Sequence, residues 1–562
     1  MQQQPFIDDI DNLQHVSDKL FSLYRPPVNR KVRRALASEL RLRGKGIYWG
    51  GITMPLSLGQ FNYLLVGSVG SGKTINLRLF MQSILPHIGQ GYGLKAVISD
   101  PKREIIPIIR GINPTCPLYI LNPFDKRHYA WAIARDIYER AHAESLAYSF
   151  APDANAMVNQ NDFWRKAFIF IVLGVVMYFI NNAKDDAGNP TWTLRDIILA
   201  PRSLKQLYAI LDSDPETKQF LEPLSGGRMT QSILTTILVY LNQFAVIAAL
   251  WEQSERHISL REFDQPGHEG ILILGRDVEN MAVMASLNQL ILTRLGQIQL
   301  MRPEDPSYSR LSDVFWILDE FHTLSALPEF EEVATTGRSK GISLVIAFQS
   351  ISSLIRIYGY EATNAIISQF RHRGILSLND TYTAEYFANL IGSGDRFSQV
   401  YHSGNLIETE GLETVPIVSA SDLSSMELPN KATGQGLTGF YRADYYNYWY
   451  TMPSSYISKH LIPKDKLTPD YQRIDSSYQH LQPWDYDDIR RLKLDRVLSP
   501  DEFAVCREEQ DHQAKLLGDA SMGGESISAI LKKLDVDYRP KAIQDDLIEE
   551  NTELDQGHSG DI

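Results

Sequence analysis

Residues Gly67-Ser68-Val69-Gly70-Ser71-Gly72-Lys73-Thr74 place three glycines, a lysine and a hydroxyl within eight positions. A triphosphate needs backbone N–H groups converging on its oxygens, and glycines let the main chain curl that closely. In such a loop Lys73 reaches the β- and γ-phosphates of ATP, and Thr74 offers its hydroxyl to magnesium. The stretch follows the apolar run Tyr63-Leu64-Leu65-Val66 and leads into the helix-like segment Ile75-Asn76-Leu77-Arg78-Leu79-Phe80. Strand, glycine-rich loop and helix start are the context of a P-loop, which distinguishes it from a plain glycine-rich turn.

A phosphate cradle alone binds; hydrolysis also needs carboxylates. Val314-Phe315-Trp316-Ile317-Leu318 ends at Asp319-Glu320. Asp319 can hold the metal ion, usually through water, and Glu320 can orient and polarise an attacking water. By itself this pattern is a strand meeting a solvated turn, but paired with a P-loop it reads as a Walker B motif. Gln349 follows the next apolar run, Leu344-Val345-Ile346-Ala347-Phe348, and is expected beside the γ-phosphate; the plain alternative is a strand-end amide. Arg338 lies on the connection before that run, where a guanidinium could neutralise transition-state charge on a neighbouring subunit's nucleotide; the alternative is a surface salt bridge. These assignments gather the P-loop, Asp319-Glu320, Arg338 and Gln349 on one sheet edge, as half of a site completed by a neighbour.

The elements that must position these residues are legible as short apolar strands ending at polar turns. Ala96-Val97-Ile98-Ser99 stops at Asp100-Pro101-Lys102-Arg103-Glu104, and Leu118-Tyr119-Ile120-Leu121 stops at Asn122-Pro123-Phe124. With helical segments between them they predict an α/β domain whose parallel sheet carries its working loops at one edge. From residue 191 to about 251 the apolar spacing turns helical (Leu194, Ile197, Ile198; Ile233, Ile237, Leu241), predicting an inserted all-α subdomain. The expected organisation is a basic leader (1–45), a nucleotide-binding domain in two parts (46–190 and 259–450), the helical insertion (191–258), a C-terminal extension (451–542) and an acidic tail (543–562).

Composition bounds the class. A chain of 562 residues with 44% apolar content is too long for one ordinary core and suits packed globular domains. Cys116 and Cys506 lie far apart with no metal-ligand spacing, which argues against a disulfide framework and a zinc site and favours a reducing, cytoplasmic setting. The first residues lack a secretory signal, and the longest apolar stretch, 167–180, has fourteen residues. A bilayer span needs roughly 18–20, so this stretch is expected to be a buried core helix, and no transmembrane segment is expected. Net charge is −13, but the last twenty residues carry seven acids and no Lys or Arg, leaving −6 on the remainder. Such a tail is either solvated and disordered or a docking peptide for a basic partner. Between Arg25 and Lys45 eight cations face one acid, Glu39. That pattern fits a solvated amphipathic helix as well as a patch for DNA phosphates or anionic lipid headgroups.

Together these residues resemble a family, the coupling-protein ATPases of bacterial conjugation and type IV secretion, in the branch similar to TraD and TrwB. The resemblance rests on Ile47-Tyr48-Trp49-Gly50-Gly51-Ile52 before the P-loop, on Asp100-Pro101-Lys102-Arg103-Glu104, with Arg103 in place of the usual glycine, on Asn122-Pro123-Phe124, and on Asp162-Phe163-Trp164. Most specific is the series Leu318-Asp319-Glu320-Phe321, Leu327-Pro328, Thr336-Gly337-Arg338, Gly341, Phe348-Gln349-Ser350 and Ile357-Tyr358-Gly359. It spans roughly residues 46 to 450.

The resemblance implies a RecA-like P-loop NTPase, homo-hexameric, that binds DNA and hydrolyses ATP with magnesium to deliver a relaxase–DNA substrate to a secretion channel. By position it implies that Lys73 and Thr74 bind phosphate and magnesium, that Asp319 and Glu320 form Walker B, that Gln349 senses the nucleotide and that Arg338 is the trans finger. Family members begin with two membrane helices and none precedes this nucleotide domain, so the expectation is a cytoplasmic protein, peripheral at the inner membrane, with a separate anchor among the channel components. Two other classes remain open at this level: a soluble DNA translocase of the FtsK/HerA type in plasmid maintenance or packaging, and a nucleotide-switched adaptor without turnover.

Overall fold

The computed structural model describes residues 46–55, 59–151, 162–224, 227–304, 313–402, 405–443, 446–474 and 480–521. The basic leader and the acidic tail lie outside the described residues. The chain divides into two compact units, Met1–Ala132 with Gln253–Ser476, and Ile133–Glu252 with Ser477–Ile562.

The first unit is built on nine strands: β3 (Tyr63–Val66), β4 (Lys95–Ser99), β5 (Leu118–Leu121), β8 (Gly270–Leu274), β9 (Val314–Leu318), β10 (Ile342–Phe348), β11 (His372–Ile375), β14 (Leu437–Ala443) and β15 (Tyr446–Met452). Their order is β15-β14-β11-β3-β10-β9-β4-β8-β5. From β11 to β5 every pairing is parallel, and β14 and β15 extend the sheet antiparallel. Every residue of β3, β4, β8, β9 and β10 is buried. That explains their unbroken apolar spelling, since a parallel sheet has helices on both faces and no wet side to alternate with.

The glycine pair that precedes the P-loop in sequence closes a hairpin between β1 (Gly46–Trp49) and β2 (Ile52–Pro55). Gly50 and Gly51 have φ of +53° and +85°, the two positive values a two-residue primed turn requires. The hairpin seats Trp49 edge-on against Tyr63, Phe80 and Tyr441, which ties it to β3, to the helix Lys73–Ile84 and to β14. Two further strand pairs occur among the described residues: β6 (Ala130–Trp131) pairs with β7 (His257–Ile258), and β12 (Ser393–His402) with β13 (Asn405–Pro416).

The second unit is built of helices, among them Arg140–Phe150, Asp162–Asn182, Leu204–Asp212, Gly227–Asn242 and Pro500–Ser521. It is wider than the insertion expected at 191–258, beginning at Ile133 and taking in the helices Tyr486–Arg491 and Pro500–Ser521. The stretch 167–180 reads as a buried helix, but being apolar on nearly all sides it carries no mark of which unit it packs in. The expected extension 451–542 is likewise split, with Ser454–His460 in the first unit and Tyr486–Arg491 in the second.

The fourteen-residue apolar run proves to be the middle of a longer helix. Phe163–Asn182 is long and apolar enough to cross a membrane, with 72% of its most apolar window buried inside the protein. That burial is what a core helix shows. Among the described residues, a bent pair, Met229–Asn242 and Ala245–Glu252, meets the same criterion only if counted as one span.

Candidate nucleotide site

Because β3, β4, β8, β9, β10 and β11 run parallel, their carboxyl ends meet at one edge of the sheet, where ligands bind in folds of this kind. The P-loop leaves β3, Asp319-Glu320 leaves β9, and Gln349 leaves β10, which lies between them. The loop is stitched to its neighbours on both sides: Gly67 N–H donates to Phe348 O at 3.3 Å and Ser68 N–H to Ser377 O at 2.8 Å. Gly72 has φ +99°, and a Cβ there would stand 2.1 Å from Leu437 Cδ1 on β14. Gly67 is equally confined, since its Cβ would meet Ser71 Oγ at 2.4 Å. Gly72 is therefore demanded by packing as well as by curvature, and Gly67 by packing.

The loop wraps a cavity of about 510 Å³, lined by Ser68, Lys73, Thr74, Lys102, Glu320 and Gln349 together with residues from 429–435 and 454–458. Lys73 is buried and donates through Nζ to Gly67 O at 2.6 Å and Ser68 O at 3.2 Å. Burial lowers its pKa, against the pull of Glu320 and Asp319 in the opposite direction. Gln349 Nε2 donates to Glu320 Oε1 at 2.8 Å. Glu320 is held in the left-handed region, φ +47°, a costly conformation for a side-chain-bearing residue and one that recurs at functional sites. Its Oε2 is buried without a hydrogen bond from the protein. His322 Nδ1 lies 3.7 Å from that oxygen, and burial lowers the His322 pKa.

Thr74 Oγ1 and Asp319 Oδ2 share one partner, the Lys102 ammonium, at 3.1 Å each. A hydroxyl and a carboxylate close enough to share a cation form the hard oxygen pair that suits magnesium. These residues therefore fit the metal that accompanies a bound triphosphate.

Arg338 stands apart from this cluster. It lies in the turn Gly337–Lys340, at the amino end of β10, whereas Gln349 follows the carboxyl end of the same strand. The expectation that Arg338 shares the sheet edge with the P-loop is therefore corrected: within one chain it sits on the opposite edge. There its guanidinium lies 4.1 Å from the Phe61 ring centroid, and Arg371 lies 4.2 Å from the same centroid.

Sequence reasoning gave no role to Lys102, although its place just past β4 at the working edge was a usable signal. It also missed Pro429, Asn430, Lys431, Gln435, Ser454, Ile457 and Ser458. These follow or precede the antiparallel strands β14 and β15, far along the chain from any phosphate motif, and nothing in their spelling marks them.

Comparison with known proteins follows the same lines. The profile of the type IV secretion-system coupling protein DNA-binding domain matches residues 47–404. Coupling protein TraD of Escherichia coli (strain K12) is 23% identical over 416 residues, 72% of this chain and 54% of TraD, so the chain spans about half the length of that relative. Among solved structures, the unbound bacterial conjugative coupling protein TrwBΔN70 superposes with a TM-score of 0.60 at 18% identity, covering 78% of this chain and 93% of that one. Plasmid coupling protein TrwB in complex with ADP and Mg2+ gives a TM-score of 0.59 at 17% identity, covering 78% and 95%. TrwB has also been solved with a non-hydrolysable ATP analogue, with a TM-score of 0.59 at 17% identity and coverage of 79% and 95%. At this identity the superpositions establish the shared fold, a RecA-like α/β NTPase core.

Proposed function

The chain belongs to the type IV secretion-system coupling-protein family, and from that premise we propose that it is an ATP-hydrolysing, DNA-binding motor that delivers a relaxase–DNA or protein substrate to a secretion channel. The observation that carries this is the meeting of Lys73, Thr74, Asp319, Glu320 and Gln349 at one sheet edge, with Gln349 and Glu320 joined at 2.8 Å. The TrwB complexes with ADP and Mg2+ and with an ATP analogue support ATP and magnesium as the ligands here.

In this scheme the backbone of Gly67, Ser68, Val69, Gly70, Ser71 and Gly72 binds phosphate oxygens, and Lys73 turns from the loop carbonyls to the β- and γ-phosphates. Thr74 and Asp319 are the residues to hold magnesium, which when bound neutralises charge on the transferring phosphoryl group. Glu320 orients and polarises the attacking water, and Gln349 reports the γ-phosphate through its hydrogen bond to Glu320. Arg338, on the far edge of its own sheet, acts on the nucleotide of a neighbour, which requires a closed head-to-tail ring, taken here as a homo-hexamer. In this reading the protein works at the cytoplasmic face of the inner membrane, with relaxosome proteins and channel components as partners.

The test is ATP turnover by the full chain with and without single- and double-stranded DNA at low salt, since phosphate contacts weaken steeply as salt rises. DNA stimulation is expected, lost in Lys73→Ala and in Glu320→Gln, with Glu320→Gln still binding ATP. An assembled ring that turns over ATP without responding to DNA overturns the motor; tight ATP binding without turnover makes the protein a nucleotide-switched adaptor instead.

A further inference from the structure

Lys102 is a cation in direct contact with both groups assigned to magnesium. Its ammonium lies 3.1 Å from Thr74 Oγ1, 3.1 Å from Asp319 Oδ2 and 3.9 Å from Glu320 Oε1. The side chain is 39% exposed and that of Asp319 14%, so the ammonium enters the site from its open side and keeps part of its hydration.

The backbone that carries Lys102 is fixed on either side. Asp100, buried at the end of β4, accepts hydrogen bonds from Glu104 N–H at 2.9 Å and Ile105 N–H at 3.1 Å. Arg103 adopts φ +58° and lays its guanidinium over the Tyr471 ring, 4.9 Å from the centroid. Glu104 pairs with Lys464 at 2.7 Å. With its neighbours held, Lys102 can leave the Thr74–Asp319 pair by rotating its own four-carbon stem, without moving the loop.

We propose that Lys102 is a built-in competitor for the divalent cation: ammonium and metal share Thr74 Oγ1 and Asp319 Oδ2, so productive entry of nucleotide with magnesium exchanges one cation for the other. A compact point charge on a flexible stem suits this task better than a planar guanidinium would. The direction of exchange follows from charge, since a divalent ion outbids a monovalent one for the same carboxylate when a polyphosphate adds further oxygens. Until then Lys102 neutralises Asp319 and keeps two carboxylates, Asp319 and Glu320, from repelling each other beside the P-loop. The inference rests on the nucleotide site proposed above.

The test is magnesium-dependent binding of ADP to the full chain, followed by titration calorimetry, with EDTA as the metal-free control. In Lys102→Met the magnesium concentration giving half of the metal-dependent gain in ADP affinity is expected to fall by about fivefold, the upper range for a partly exposed ion pair. Lys102→Arg, which keeps a charge, is expected to stay nearer to the parent protein, and thermal melting confirms that both variants fold. An unchanged half-point in Lys102→Met overturns the proposal, and a raised one assigns Lys102 to direct phosphate binding instead. Failure of the parent protein to bind ADP at all is a different outcome and removes the nucleotide site itself.

Discussion

At the scale of single residues, the site is organised around Glu320, whose left-handed backbone and hydrogen bond from Gln349 fix where its carboxylate stands. Replacing Gln349 with alanine removes that bond without touching the P-loop. We expect kcat to fall about 10- to 100-fold with little change in KM, the signature of an interaction used in the transition state, read from steady-state ATPase kinetics. Asp100 offers a second test. Burial raises its carboxyl pKa to about 6, in spite of the backbone N–H groups of Glu104 and Ile105 that favour the charged form. A carboxyl raised in this way binds more protons folded than unfolded. Its contribution to stability is complete below the unfolded value of about 3.9 and is lost as pH rises through about 6. Asp100→Asn should flatten the fall in stability between pH 4.5 and pH 8, by up to ~2 kcal/mol, read from melting temperatures. The glycines and Lys73 were legible as chemistry because phosphate binding imposes a local spelling. Lys102 was not, since its role depends on which strand lies beside which.

At the scale of elements, β10 separates the P-loop strand from the Asp319-Glu320 strand, and that order puts Gln349 between phosphate loop and carboxylates. No property of β10 in sequence states its neighbours. In the helical unit the corresponding device is a buried carboxylate. Asp196 is fully buried, closes a capping box with Thr193, and accepts Arg491 at 2.8 and 2.9 Å and Trp484 Nε1 at 2.8 Å. These bonds fasten the helix Tyr486–Arg491 to the helix Leu194–Leu199, residues nearly three hundred positions apart. Arg491→Ala leaves a buried charge without its cation, a change that costs about 3–5 kcal/mol. The melting transition of the helical unit should drop by roughly 10 °C, measured by calorimetry, while ADP binding by the other unit persists. The sequence marked helices here but not this fastening, because the contacts of Asp196 are long-range.

At the scale of the whole molecule, Arg338 decides whether one chain is enough. It sits at the opposite sheet edge from Lys73, so the proposed function has it act on a neighbour's nucleotide. Arg338→Ala and Lys73→Ala should each abolish turnover when assembled alone. Mixed in equal amounts before assembly, they should recover about a quarter of the parent activity, since one interface in four joins an intact Lys73 to an intact Arg338. Two dead proteins that stay dead on mixing, in an assembly shown to exchange subunits, would exclude the trans assignment. DNA stimulation should also decline steeply with salt; a flat profile between about 50 and 200 mM would mean that phosphate contacts are not involved.

By itself the sequence determined local placement: Gly67 to Thr74 between a strand and a helix, Asp319-Glu320 at the end of a strand, and unbroken apolar strands as a sheet covered on both faces. Each of these is written within a few consecutive residues, because backbone curvature, strand burial and strand-end placement are short-range properties. Only the tertiary structure decided that Lys102 bridges Thr74 and Asp319, that residues 429–435 and 454–458 line the cavity, that the helical unit begins at Ile133, and that Arg338 lies on the far edge. Those facts depend on strand order and on packing between distant segments. A chain fixes such pairings through its summed burial and hydrogen bonding, and no single stretch of it spells them out.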